Sequence, residues 1–266
     1  MIEALFPQRL GTSFRWLAAS SWVSNLGDGI ALAAGPLLVA SLTDDAFLVA
    51  FAATLQWLPP LLFGLFAGVV TDRVDRRRLI VVVNLIRTAV LIVLAVTIVS
   101  DNVSIQLVLG TLFVLGTAEV FADNTASTLL PMLVDRSDLT VGNARLMAGF
   151  VTLNQLAGPP LGAALFAVGW ALPFSTQGVL VALGAGLVTK VTLPPHGVDR
   201  DERHHVWREI VEGVTWTRHH PAVRTLVLTI FTFNITFGAA WAVLVLYATE
   251  HLGLGEVGFG LITTVI

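Results

Sequence analysis

The chain has 266 residues, is 55% hydrophobic and has a mean hydropathy of +0.82; charged residues make up 12%, and 15 Lys and Arg against 18 Asp and Glu give a formal charge of −3. An ordinary soluble domain is roughly 45–50% apolar, so this composition excludes that class and describes an integral membrane protein. With no cysteine, a disulfide framework and a thiolate metal centre are also excluded.

Near-continuous apolar runs occupy Trp16–Leu42, Phe47–Thr71, Leu79–Val99, Val103–Asp123, Leu146–Leu172, Phe174–Val188 and Leu226–Thr249. Most reach the ~20 residues a helix needs to cross a bilayer, and the sixth is short. Barrel strands alternate apolar and polar residues over ~10 positions, whereas these runs are apolar on every face, so the expected fold class is an all-α membrane protein. A last stretch, "VGFGLITTVI", stays apolar to Ile266 and reads as the opening of an eighth helix. The first run is too long for the apolar core of a cleaved leader and is expected to act as its own signal.

With the N-terminus placed in the cytoplasm, all 15 Lys and Arg residues fall in inner loops or the inner parts of helices. The opposite loops, "TDDA", "SDNVS", "GWALP" and "EHLGLGE", carry none. Short loops rich in Lys and Arg stay on the cytoplasmic side, so the asymmetry sets the orientation.

The densest charge lies in "GVVTDRVDRRRL", Gly68–Leu79, a hairpin between the second and third spans. Its arginines would serve topology in any membrane protein. Its spacing adds more: Gly68 precedes Asp72 by four positions, Arg73 follows, and Arg76 and Arg77 come after a two-residue turn. This pattern resembles the signature loop of the major facilitator superfamily, G-x-x-x-D-R-x-G-R-R/K, with Asp75 in place of the second glycine, as also occurs in the exporter subgroup typified by enterobactin and macrolide efflux proteins. In physical terms, Gly68 lets backbones approach and Asp72 can face the positive end of a neighbouring helix.

Other stretches resemble the same subgroup in order. "SSWVSNLGDGIAL" is similar to its first helix and "AEVFADNTASTLLPMLV" to its fourth, with Asn124 and Ala126 where that subgroup often has proline and arginine. "NQLAGPPLGAAL" is similar, through Gly158, Pro159 and Gly162, to the G-P-x-x-G signature associated with export. Taken by themselves these residues predict a kinked, closely packed helix. The pairs Gly64 and Gly68, and Gly184 and Gly186, are expected to be ordinary packing sites.

Between Leu193 and Arg224 the chain turns polar and reads as a cytoplasmic linker. Trp207, Ile210, Val211 and Val214 follow the i, i+3, i+4, i+7 rule, predicting an amphipathic helix against the inner membrane surface. A metal site from His204, His205, His219 and His220 is disfavoured because adjacent helical residues point about 100° apart. The resemblance implies a linker between two six-helix bundles. The expected organisation is a six-helix bundle over 1–193, the linker over 194–224, and over 225–266 the start of a second bundle in a fragment of a twelve-helix transporter.

Asp28, Arg87, Glu119 and Asp123 lie inside the spans. An unpaired charge at the bilayer centre costs at least ~2.5–3.5 kcal/mol on insertion scales, so each is expected to face the bundle interior and mark a proton or substrate pathway. Asp28 falls roughly 20 Å along the first helix from Arg15, near the midplane. Arg87 and Glu119 are expected at similar depth on consecutive antiparallel helices, either as a static pair or at the substrate. The resemblance implies a gating contact of Asp123 with Asp72 and Arg76 of the signature loop. Trp22, Trp57 and Phe121 are candidates for a cavity wall.

The combined expectation is a secondary active transporter, not an enzyme, that exports a small amphipathic compound, drug-like or siderophore-like, in exchange for protons by alternating access. It would be a monomer in a bacterial cytoplasmic membrane, with no cofactor, metal or nucleic-acid partner. No GxxxxGKS/T phosphate loop occurs. The competing readings are an importer or uniporter of the same fold, and a sensor or scaffold that transports nothing. A membrane-embedded enzyme would need a nucleophile or base near a membrane face, and no histidine has a recognisable partner spacing.

Overall fold

The computed structural model describes residues 8–193 and 206–263. Helix α1 runs over Gly11–Leu42, α2 over Ala46–Arg73, α3 over Arg76–Val99 and α4 over Ile105–Leu133. Helix α5 has three parts: α-helical Leu139–Gly149, π-helical Phe150–Ala157 and α-helical Gly158–Val168. Then follow α6 over Leu172–Val188, α7 over Val206–His219, α8 over Pro221–Leu246 and α9 over Glu256–Thr263. Five helical stretches among the described residues are long and apolar enough to cross a membrane: α1, α3, α4, α5 and Pro221–His251. With no strand among the described residues, the chain is an all-α, multi-pass membrane protein.

Short polar caps set the hairpins. Asp45 accepts from the Phe47 N–H at 2.9 Å, Asp75 from Arg78 at 2.8 Å and Ser104 from Leu107 at 3.3 Å, each satisfying a donor left over at a helix start. The aspartate that replaces glycine in the signature loop is therefore the N-cap of α3. In α5, Pro159 and Pro160 have no N–H to offer the carbonyls of Gln155 and Leu156, and the π-helical turn ends where they begin.

Helix α6 packs on both α1 and α3, α5 packs on α1, and α2 pairs with α4. Buried side chains form two apolar zones. One, at the end carrying the turns 43–45 and 100–104, gathers Leu38, Leu94, Leu112, Phe166 and Phe174; the other, at the opposite end, gathers Leu17, Ile80, Leu129 and Val188. Between them lies a polar layer of Asp28, Asn84, Arg87, Asn154 and Gln177, all buried. Leu61, Leu65, Val82, Leu85, Val93 and Val96 point outward, as a lipid-facing surface requires.

The spans follow the sequence reading closely, with α4 as the main departure. It continues ten residues past the expected end at Asp123, to Leu133. Helix α8 starts at Pro221, ahead of the expected boundary at 225. In α7, Val211 and Val214 are exposed together, whereas the side chains of Trp207 and Ile210, and all of His204 and His205, lie outside the described residues. The Nδ1 atoms of His219 and His220 sit 2.6 and 2.8 Å from the carbonyls of Thr215 and Trp216 on their own helix.

Candidate transport cavity

The site begins with a charge pair. Arg87, 2% exposed, reaches from α3 to donate through its Nη2 to Asp28 Oδ1 on α1. Its Nη1 lies 3.4 Å from Asn84 Oδ1 one turn away, and Gln177 on α6 donates its side-chain N–H to the same Asp28 oxygen at 3.3 Å. Burying a lone guanidinium or carboxylate in an apolar bundle is costly, and mutual pairing with further hydrogen bonds removes most of that cost. Three helices are thereby tied together at one depth.

Sequence spacing matched Arg87 with Glu119, but the structure matches it with Asp28. Helix α3 packs on both α4 and α6, and from it the long arginine side chain reaches Asp28 on α1, a partner that no reading of consecutive hairpins anticipates.

Beside the pair opens a cavity of about 530 Å³. Asp28 and Ala31 line it from α1, Glu119, Asp123 and Asn124 from α4, Phe150, Asn154 and Pro159 from α5, Gln177 from α6, and Phe237 and Trp241 from α8. Among the described lining residues the only charged ones are three carboxylates, Asp28, Glu119 and Asp123. Arg87 stands behind Asp28. Glu119 and Asp123, four apart, share one face of α4, and no ion pair engages either among the described residues.

The back wall of the cavity is the α1–α5 contact. A Cβ on Gly29 would overlap the Asn154 backbone, one on Gly158 the backbone of Gly29, and one on Gly162 the carbonyl of Ile30. Gly158, Pro159 and Gly162 therefore hold α5 directly against the residues that follow Asp28. Gly184 meets Ser20 and Ser24 in the same way, whereas a Cβ at Gly64, Gly68 or Gly186 would meet nothing within 4 Å. The expected close approach at Gly68 does not occur among the described residues.

In the signature loop, Asp72 at the end of α2 pairs at 3.0 Å with Arg76, the first residue of α3, across the turn. The other Arg76 nitrogen meets Met132 Sδ at 3.5 Å, and Arg77 donates to the Val191 carbonyl at 3.2 Å. The α4 residue met by the loop is thus Met132, about 13 Å along the helix from Asp123 at 1.5 Å per residue. Because α4 extends to Leu133, Asp123 belongs to the cavity wall, and Thr71 and Thr125, bonded at 3.0 Å, mark where α2 touches α4 between the two levels.

Two of the aromatic candidates, Trp22 and Phe121, are not among the described residues that line the cavity. Trp22 donates its indole N–H to the Arg145 carbonyl at 3.1 Å and lies against Gly149, fastening α1 to α5. Phe121 meets Phe66 edge-on with centroids 6.4 Å apart, and the Trp57 side chain lies outside the described residues. Among the described residues the aromatic rings on the cavity are Phe150, Phe237 and Trp241. Gln177 and Asn154 escaped the sequence reading because it weighed only ionisable residues; amides inside apolar spans were the available signal.

The major facilitator superfamily model matches residues 17–266. The chain belongs to that superfamily. Over 189 residues, 70% of this chain and 46% of the relative, it is 26% identical to macrolide efflux protein A of Streptococcus pyogenes, and to the protein of that name from serotype M6 with the same values. The chain spans about half the length of the curated relatives it matches. Members of this superfamily are transporters, and this chain is a member with similarity to an efflux protein.

Proposed function

We propose that this protein is a secondary active exporter of a small amphipathic organic compound, driven by protons and working by alternating access in a bacterial cytoplasmic membrane with its N-terminus in the cytoplasm. The observation that carries this reading is the cavity itself. It places two carboxylates without an ion pair, Glu119 and Asp123, beside a fixed charge pair at the centre of an apolar bundle. A carboxyl group in such a setting can exchange its proton with whichever side the cavity faces, which couples proton entry to substrate exit. The similarity to macrolide efflux proteins supports outward transport of a drug-like molecule. Residues 1–193 form the first bundle, 194–224 the linker and 225–266 the opening of the second, in a monomer.

The depth of Asp28 near the midplane makes it the first candidate for the proton carrier, but its pairing with Arg87 and Gln177 supports Glu119, with Asp123 beside it, in that role, and Asp28 and Arg87 as a fixed dipole. The test uses reconstituted vesicles with an imposed pH gradient. Glu119→Gln is expected to abolish uphill export while downhill movement persists; uphill export by Glu119→Gln would exclude it as the carrier. Asp72→Asn in the signature loop is expected to slow transport without reducing insertion, because the arginines and not Asp72 set topology.

A further inference from the structure

At the end of the bundle that carries the signature loop, Arg77, Arg78 and Lys190 form no ion pair among the described residues. Two of these cations are brought together. Arg77, the second residue of α3, donates from Nη1 to the carbonyl of Val191, the residue after Lys190, at 3.2 Å. The Lys190 ammonium lies over the half-buried Trp16 ring of α1, 4.4 Å from its centroid. The backbone between them is pinned, since Val191 is buried against Leu17 and Ile80, and Ser13 Oγ lies 2.7 Å from Thr192 Oγ1. The ring face places the ammonium and leaves its N–H groups to donate, while Arg77 keeps the rest of its fork.

Beyond these charges the surface is apolar and notched. Val179, Leu183 and Gly186 lie at helical spacing on the exposed strip of α6, and Lys190 follows one turn later. On α3, Arg78 heads a strip formed by the exposed Val82 and Leu85. Helices α3 and α6 pack together, and the contact of Arg77 with Val191 brings the ends of both strips to one corner. A Cβ on Gly186 would meet nothing within 4 Å among the described residues. The glycine expected to pack a helix leaves a notch one turn from Lys190.

A lipid-facing strip that ends in paired cations fits a molecule with apolar chains and a negative head. We infer that this corner binds an anionic glycerophospholipid: Arg77 and Lys190 donate to its phosphodiester, Trp16 sits at headgroup level, and one acyl chain lies in the notch at Gly186. The acids of the neighbouring loop are engaged, Asp72 with Arg76 and Asp75 with the Arg78 N–H, so they leave these cations uncompensated. A zwitterionic lipid would bring its own ammonium against them. Placement in the inner leaflet rests on the orientation proposed above, whereas the site itself rests on these contacts and not on what the cavity transports.

The experiment counts lipids retained by the purified protein in detergent by native mass spectrometry. The probes are dioleoylphosphatidylglycerol and dioleoylphosphatidylcholine, which share their chains. A single phosphatidylglycerol is expected to be held about tenfold more tightly than phosphatidylcholine. Lys190→Gln is expected to weaken it about fivefold. Gly186→Leu fills the notch, keeps every charge, and is expected to weaken it by a similar factor. Arg136→Gln removes the same charge from the α4–α5 turn and is expected to change nothing. sn-Glycerol 3-phosphate, a phosphate without chains, is expected not to displace the lipid.

Equal retention of the two lipids would overturn the inference. So would equal losses in Arg136→Gln and Lys190→Gln, because the attraction would then be the general one between basic loops and anionic lipid. Displacement by glycerol phosphate would overturn the lipid as occupant, and undiminished binding by Gly186→Leu would overturn the acyl notch. Detergent has no sidedness, so binding tests the site apart from the orientation. A tag at residue 75 that reports the outer face would overturn the inner-leaflet placement alone.

Discussion

Two glycine-bearing faces of this bundle look alike in sequence and differ in structure. On α1 and α5, Gly29, Gly158 and Gly162 bring backbone against backbone, and any Cβ there would overlap the neighbouring helix. On α2, Gly64 and Gly68 sit four apart, yet among the described residues nothing lies within 4 Å of where their Cβ atoms would be. A small residue in an apolar helix permits close approach but does not cause it. The closed face adjoins the residues that follow Asp28, whereas on the other face Gly64 borders the open cavity.

The largest effect is expected from unbalancing that charge pair beside the closed face. Arg87→Met leaves Asp28 buried with only Gln177, and removal of one partner from a buried pair costs about 3–5 kcal/mol. Thermal unfolding in detergent should register the loss, and Asp28→Asn added to Arg87→Met should recover part of it, since the orphaned charge is then gone. If Arg87→Met unfolds like the unaltered protein, the pair does not organise the bundle.

Next in size is a test of the closed face itself. Gly158→Ala puts a methyl group into the Gly29 backbone, and forcing extra volume into a packed contact costs about 1–3 kcal/mol. The same assay measures it. An unchanged unfolding temperature would mean that α1 and α5 separate freely.

The matching change on the open face should have the opposite sign. Gly68→Ala meets no neighbour and replaces a helix-weakening residue, so a gain of about 0.5–1 kcal/mol is expected. A loss would show that Gly68 makes an approach in the membrane-embedded protein that α2 does not make within this chain. The smallest effect concerns what does hold α2 to α4. Thr125→Val removes the buried 3.0 Å hydroxyl contact with Thr71, and interhelical hydrogen bonds in membranes average about 0.6 kcal/mol. A loss of several kcal/mol in that variant would make the threonine pair, and not apolar packing, the main tie between α2 and α4.

The sequence by itself determined what depends on local composition. Long apolar runs became helices because a bilayer leaves a backbone no other way to satisfy its hydrogen bonds, and Asp45, Asp75 and Ser104 fixed where α2, α3 and α4 begin. The family was legible too, in the signature loop and in Gly158, Pro159 and Gly162. Ionisable residues in the spans, rare because they are costly there, pointed to Asp28, Arg87, Glu119 and Asp123 before any contact was known. Which of them meet was decided only by the tertiary structure. Helical periodicity gives depth and face, but not which helix stands across from that face, and in the bundle Arg87 meets Asp28 on α1 in place of Glu119. Gln177 joined that pair for the same reason. An amide in an apolar span states only that a polar atom is buried, whereas its partner depends on side chains from three helices meeting in space.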